Sequence, residues 1–194
     1  MLRRALLFSG MAASAVASCG AVIDGGNGAP VHVDDLDDQN AALRAAFNAA
    51  HGKVRLLFVV GPTCGPCLRG LIDMNANLGA NLLSDRRLAI FVVHVPTLSA
   101  QRQHAERAAQ LIQGDSVHHY WDSSGQIGRA VQRTLQIAVY VWDVWLTYGP
   151  EANWDGADPP PPVVWSHQLG GLAGRRLDPQ AVAADVRARV ERLH

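Results

Sequence analysis

FVVGPTCGPCLRGLIDMN, residues Phe58–Asn75, decides how this chain is read. It closes an apolar run, VRLLFVV at 54–60, whose continuity, interrupted only by Arg55, is the mark of a strand buried on both faces. Gly61 and Pro62 stop that run, and from Cys64 to about Leu78 the apolar residues Leu68, Leu71, Ile72 and Leu78 recur at helical spacing. Cys64 therefore falls at the first turn of a helix. Unpaired N–H groups and a positive partial charge collect there and stabilise a thiolate. Cys67, three residues on, lies one turn away on the same face.

Three chemistries compete for such a pair. A structural zinc clip needs four ligands, commonly two close pairs, and the sequence offers one pair. His118 and His119 are adjacent on an expected strand, so their side chains point to opposite faces. No metal or cofactor is called for. Cu(I) handling is the better metal rival, since thiolates bind it. A purely structural disulfide gains little from so small a loop. A redox pair suits the position: Cys64 is placed to attack, and Cys67 to resolve the mixed disulfide. Pro66 is tolerated because a first-turn N–H lacks an intrahelical acceptor, and Gly65 leaves room for a partner chain.

Outward from the pair, helix and strand patterns alternate. A helix over QNAALRAAFNAAH, 39–51, is capped by Asp37 or Asp38. RLAIFVVHV, 87–95, is a second buried strand, and SAQRQHAERAAQLIQ, 99–113, a helix capped by Ser99. VHHYW, 117–121, is a short strand, followed by a helix near 125–137. VYVWDVWLTY, 139–148, and VVWSHQLG, 163–170, read as strands joined by a proline-rich loop. A helix with Asp178 as cap and Pro179 in its first turn ends the chain. This order predicts an α/β fold with a central mixed, mostly parallel sheet, helices on both faces, and the last two strands antiparallel at one edge.

The first residues read as an export signal. A short basic start precedes a small-residue apolar stretch, too short for a spanning helix of about 20 residues. Ala15-Val16-Ala17 fits ordinary cleavage; Val16-Ala17-Ser18-Cys19 resembles the lipobox of bacterial lipoproteins and is favoured, with Cys19 as the lipidated residue. Residues 1–18 are then a signal peptide, 19–37 a Gly- and Asp-rich flexible tether, and 38–194 one domain. Formal charge is balanced and no basic cluster exists, so nucleic acid is not an expected partner.

Cys64-Gly65-Pro66-Cys67 between a buried strand and a helix resembles the active-site motif of thioredoxin, and the element order over 38–194 resembles a thioredoxin fold. The exported, tethered layout looks most like membrane-anchored bacterial thioredoxin-like proteins. The resemblance implies a thiol–disulfide oxidoreductase of the cell envelope, on the periplasmic side of a bacterial membrane. Cys64 is its attacking and Cys67 its resolving residue, with Thr63, Gly65 and Pro66 shaping the motif. A protein disulfide is the implied substrate and a membrane electron donor the implied source of reducing equivalents. The alternative is a non-catalytic envelope lipoprotein that binds Cu(I) or a partner protein through the same pair.

The sequence departs from the family at three places. Thr63 stands where Trp is usual. Phe58 occupies the expected place of a buried acid. No proline appears near 137–141, where the family carries a cis-proline before the penultimate strand. Asp143, in the middle of the expected strand 139–148, is a candidate proton-transfer group or a structural partner for an Arg. His94 is a second candidate, or an ordinary core histidine. Trp142, Trp145, Trp154 and Trp165 are either walls of a groove near the cysteines or core anchors.

Overall fold

The computed structural model describes residues 31–193. The signal segment, Cys19 and most of the expected tether lie outside the described residues. Six strands and five helices follow in the order β1 (Val33–Asp35), α1 (Ala41–Ala49), β2 (Val54–Val60), α2 (Gly65–Leu83), β3 (Leu88–His94), α3 (Arg102–Ala109), β4 (Val117–Trp121), α4 (Gln126–Leu135), β5 (Val144–Tyr148), β6 (Val164–His167) and α5 (Pro179–Glu191). The sheet order is β1-β4-β3-β2-β5-β6. β1, β4, β3 and β2 run parallel, while β5 is antiparallel to β2 and β6 antiparallel to β5. The fold is thioredoxin-like: the strand that delivers the cysteine pair lies inside the sheet, between a parallel neighbour and the antiparallel pair.

β2 is buried at every residue. Leu56, Phe58 and Val60 face a core built with α2 and α5, and Leu57 and Val59 face one built with α1 and α4. Arg55, on the second face, is fully buried; its guanidinium donates to the carbonyls of Phe47 and Gly149 and stacks on the Phe47 ring at 4.4 Å. Both faces of the sheet are thus filled from helices, as the apolar runs at 54–60 (Arg55 apart) and 88–93 require.

Several local expectations need correction. α1 runs over Ala41–Ala49 with Asn40 at its N-cap position, not Asp37 or Asp38, although the Asp37 carboxylate accepts the Ala41 backbone N–H at 2.9 Å. The expected tether ran to residue 37, but Val33–Asp35 adds a parallel edge strand to β4. Its apolar content is too small to show as a period; Val33 alone is buried, and Arg102 fixes the strand through the Val33 carbonyl and Asp35. α3 starts at Arg102 with Gln101 as its cap, not at Ser99, because Leu98 and Ser99 both hold left-handed φ values of 53° and 58°. α2 continues past Leu78 to Leu83, with a break at Gly79 (φ 69°).

The correction at β5 matters most. β5 begins at Val144, so residues 139–143 are not strand. Gln136 (φ 55°) and Asp143 (φ 57°) turn the chain at either end of this segment. Tyr140 leaves the sheet to cover Gly128, where a Cβ would stand 2.6 Å from its ring. Asp143 therefore occupies the turn that delivers the chain to β5, a conformation Asp tolerates better than most residues. β6 is likewise shorter than its apolar run, ending at His167.

Candidate redox site

The site is assembled at the carboxyl ends of β2 and β3 and the amino end of β5. Cys64 is the N-cap of α2, with extended backbone (φ −84°, ψ 115°), and its Sγ accepts the Cys67 backbone N–H at 3.4 Å. The helix amino end thus points a donor at the sulfur, as its sequence position implies. Both residues are free thiols; Cys67 is fully buried and Cys64 is 6 % exposed. Gly65 and Pro66 are exposed, and a Cβ on Gly65 would meet nothing within 4 Å. The motif is therefore open on the side from which a partner chain would reach Cys64.

Thr63 stands where the resemblance to thioredoxin leads one to expect Trp. Its hydroxyl donates toward the carbonyls of Thr97 and Leu98, both at 3.2 Å, and ties the cysteine turn to the loop after β3. Gly61 is required by close approach: a Cβ there would lie 2.4 Å from Thr97 Oγ1 and 3.2 Å from Cys64 Cβ. Pro96 lies in this loop, and no peptide bond among the described residues is cis.

Asp143 completes the site. Its carboxylate and the two sulfurs place three donor atoms within 4.8 Å of one another, all from buried residues. The Trp145 indole N–H donates to Asp143 Oδ1 at 3.0 Å. With the Gln168 side-chain amide turned so that both its ends are satisfied, its nitrogen donates to the same Oδ1 at 2.9 Å and to the Pro66 carbonyl at 3.1 Å. The Gln168 backbone N–H donates to the Asp143 carbonyl at 3.3 Å. Two donors on Oδ1 leave the lone pairs of Oδ2 unclaimed by either. Arg176, whose guanidinium holds the carbonyls of Gln168 and Leu169, is the nearby positive charge.

The electrostatics follow from this packing. Burial pushes the Asp143 carboxyl above its ordinary range, opposed by the Trp145 hydrogen bond, by one with Cys67 and by Arg176. Burial, then the Asp143 charge, then the hydrogen bond with Cys64, push the Cys67 thiol well above its usual value. Cys67 therefore keeps its proton until a base takes it, and the carboxylate beside it is the group available.

The structure separates the other sequence candidates. His94 is fully buried and its Nε2 meets His119 Nδ1 at 3.3 Å, while His119 Nε2 donates to the Ile112 carbonyl at 3.0 Å. Burial holds His94 down to about 3 and His119 to about 4, so the pair stays neutral. Its bonding places it with the core under α3. His118 points to the other face and stacks on Phe91, as adjacency on a strand demands. The tryptophans do not form one wall. Trp154 is buried against Phe47 in the α1 core. Trp145 packs on Phe58 with ring centroids 4.6 Å apart and holds Asp143. Trp142 alone borders a groove near the pair, about 430 Å³, lined also by Ile137, Val139, Tyr140, Leu169 and Leu172. Gln168 escaped the sequence reading, because a lone Gln at the end of an apolar run carries no pattern.

No family model and no curated protein matches the chain. Among solved structures, it is similar to a secreted disulfide oxidoreductase of Mycobacterium tuberculosis homologous to Escherichia coli DsbE, at 12% identity over 72% of this chain and 84% of that one, with a TM-score of 0.47. It is also similar to Arabidopsis thaliana ScoI with copper bound, at 15% identity over 74% of this chain and 87% of that one, with a TM-score of 0.45. Likeness at this level leaves the function to the chemistry of the site itself. Among the described residues, no helix is long and apolar enough to cross a membrane.

Proposed function

We propose that the chain is a thiol–disulfide oxidoreductase that reduces protein disulfides in the bacterial cell envelope, held to the membrane by a lipid on Cys19. The observation that carries the reading is the asymmetry of the pair. Cys64 Sγ receives a helix-start N–H, while Cys67 is buried with its proton beside a carboxylate.

The chemistry then runs in two exchanges. The Cys64 thiolate attacks one sulfur of the substrate disulfide, forming a mixed disulfide and expelling the other substrate sulfur as a thiolate. Asp143 takes the proton from Cys67. The new Cys67 thiolate attacks Cys64 Sγ, the second substrate sulfur leaves, and the protein retains a Cys64–Cys67 disulfide. Two electrons have passed to the substrate, and a dithiol donor at the membrane restores the pair. His94, locked in its pair with His119, takes no part.

Insulin-disulfide reduction, with Cys64→Ser as the control, tests the activity: turnover by wild type and none by the variant supports it, and equal inactivity of both sinks it. The reduction potential tests the direction. About −270 mV suits a reductant, and about −120 mV would make the protein an oxidant. The rival reading of a Cu(I)-binding lipoprotein gains no soft third ligand, because the group beside the sulfurs is a carboxylate.

A further inference from the structure

We propose that the reduced site is also a binding site for a divalent cation of the zinc class, with Cys64 Sγ, Cys67 Sγ and a carboxylate oxygen of Asp143 as ligands and a fourth position open to an exchangeable ligand. The inference goes beyond disulfide exchange and does not depend on it, since binding needs only the dithiol state.

Distance and donor type carry it. A tetrahedral zinc with bonds of about 2.3 Å to sulfur and about 2.1 Å to oxygen sets its ligand atoms roughly 3.5–3.8 Å apart. The three donors already lie within 4.8 Å of one another, so small side-chain rotations close the set. Two thiolates and one carboxylate suit a borderline cation. Magnesium and calcium want oxygen alone, and Cu(I) has no use for a hard third ligand. An iron–sulfur cluster wants four thiolates, and the chain has three cysteines in all.

The surroundings are those of a ligand held for metal. A ligating carboxylate is normally oriented by hydrogen bonds to its other oxygen. Asp143 Oδ1 takes the Trp145 indole N–H and the Gln168 amide, which is also anchored on the Pro66 carbonyl between the cysteines. The same amide therefore fixes the carboxylate relative to both sulfurs. Entry is open past the exposed Gly65. Oxidation of the pair by a disulfide substrate joins the two sulfurs, removes both thiolate ligands and expels the ion; a bound ion, conversely, occupies the nucleophile.

The test is anaerobic titration of the fully reduced protein with Co²⁺ as optical probe, followed by Zn²⁺ in competition with a chromophoric chelator. One equivalent is expected, with tetrahedral visible bands and sulfur-to-cobalt charge transfer, and none after oxidation of the pair. Asp143→Ala should weaken Zn²⁺ more than 100-fold. Gln168→Leu, which keeps all three ligands, should weaken it by roughly 10-fold, the lower end for loss of a supporting hydrogen bond. Near-ultraviolet circular dichroism of each variant confirms the fold. Absence of binding by the reduced, folded protein overturns the inference, and so does Zn²⁺ affinity unchanged in a folded Asp143→Ala. Insulin turnover is scored separately. A protein that binds Zn²⁺ but fails to reduce insulin loses only the redox reading, and the reverse result removes only the metal site.

Discussion

Trp145 donates its indole N–H to Oδ1 of Asp143, two residues earlier in the chain, at 3.0 Å. The same ring packs on Phe58, its partner across the β2–β5 ladder, with centroids 4.6 Å apart. These two contacts join two oddities of the sequence. An aromatic residue, Phe58, stands on β2 where the resemblance to thioredoxin leads one to expect a buried acid, and an unexpected acid appears at 143. Phe58 gives Trp145 a flat apolar wall, and Trp145 holds the carboxylate at the cysteines. The buried acid beside the pair therefore lies not on the central strand but in the turn before its antiparallel neighbour.

If Asp143 takes the Cys67 proton, Asp143→Asn will leave the first exchange largely intact and slow the second. General-base groups contribute roughly 10²–10⁴-fold, so release of the mixed disulfide should fall by at least about 100-fold. Quenched-flow trapping on gels should show substrate accumulating on Cys64, while alkylation of Cys64 by iodoacetamide stays within a few-fold of wild type. Equal release rates in the two proteins would assign Asp143 a structural role.

Gly70 should not tolerate a side chain. A Cβ there would stand 2.5 Å from Trp145 Cζ2 and 2.9 Å from the Gln168 side-chain amide, the two residues that position Asp143. Helix propensity favours Ala over Gly by about 1 kcal/mol. Overpacking costs roughly 1–3 kcal/mol and here displaces a rigid indole. Gly70→Ala should thus lower the urea midpoint, with a net loss of about 1 kcal/mol, and slow insulin reduction through the displaced clamp. An unchanged midpoint with unchanged turnover would show that Trp145 has room to shift.

The sequence made the pair, the strand before it, the helix after it and a mostly parallel sheet with an antiparallel edge legible, because long apolar runs and a cap position leave few alternatives. Asp143 was visible as an anomaly, but its location was not. VYVWDVWLTY alternates well enough to read as one strand, and only tertiary packing of Tyr140 on Gly128 pulls its first half off the sheet. Gln168 and Arg176 were not legible at all. Their roles depend on the return of β6 beside β5, and polar residues near a strand end look like any loop. His94 stood out for the right physical reason, a polar residue in an apolar strand. Its partner is another histidine, which no local pattern announces.

Arg55 offers a test of the core away from the cysteines. Burial holds its guanidinium below the usual value, with Glu151 and Tyr148 opposing. Its hydrogen bonds to the carbonyls of Phe47 and Gly149 join α1 to the end of β5. Arg55→Ala leaves both carbonyls unpaired and opens a cavity, for a loss of about 3–5 kcal/mol. Arg55→Met refills the volume and should cost clearly less, about 1–2 kcal/mol. Chemical denaturation of the two variants checks the order. If Met were as damaging as Ala, the charge rather than the packing would hold the site together.

The buried histidine pair should make the protein acid-sensitive well above the carboxylate range. His119 Nε2–H donates to the Ile112 carbonyl, so its Nδ1 accepts, and His94 Nε2–H is the donor to it. A proton on either ring is then taken up without solvent, beside another imidazole. The folded-state values, about 3 for His94 and about 4 for His119, lie below the ordinary 6.5. The unfolded chain therefore binds protons first. The pair's contribution is fully present above about pH 6.5 and is lost as pH falls toward 4, at up to about 1.4 kcal/mol per pH unit for each ring. Urea midpoints measured at pH 7, 6 and 5 should drop progressively. His94→Leu should start lower at pH 7, because His119 Nδ1 loses its donor, yet fall less steeply with acid, since one of the two protons is gone. A wild-type profile flat from pH 7 to 5 would mean that the rings reach solvent and charge in the folded state.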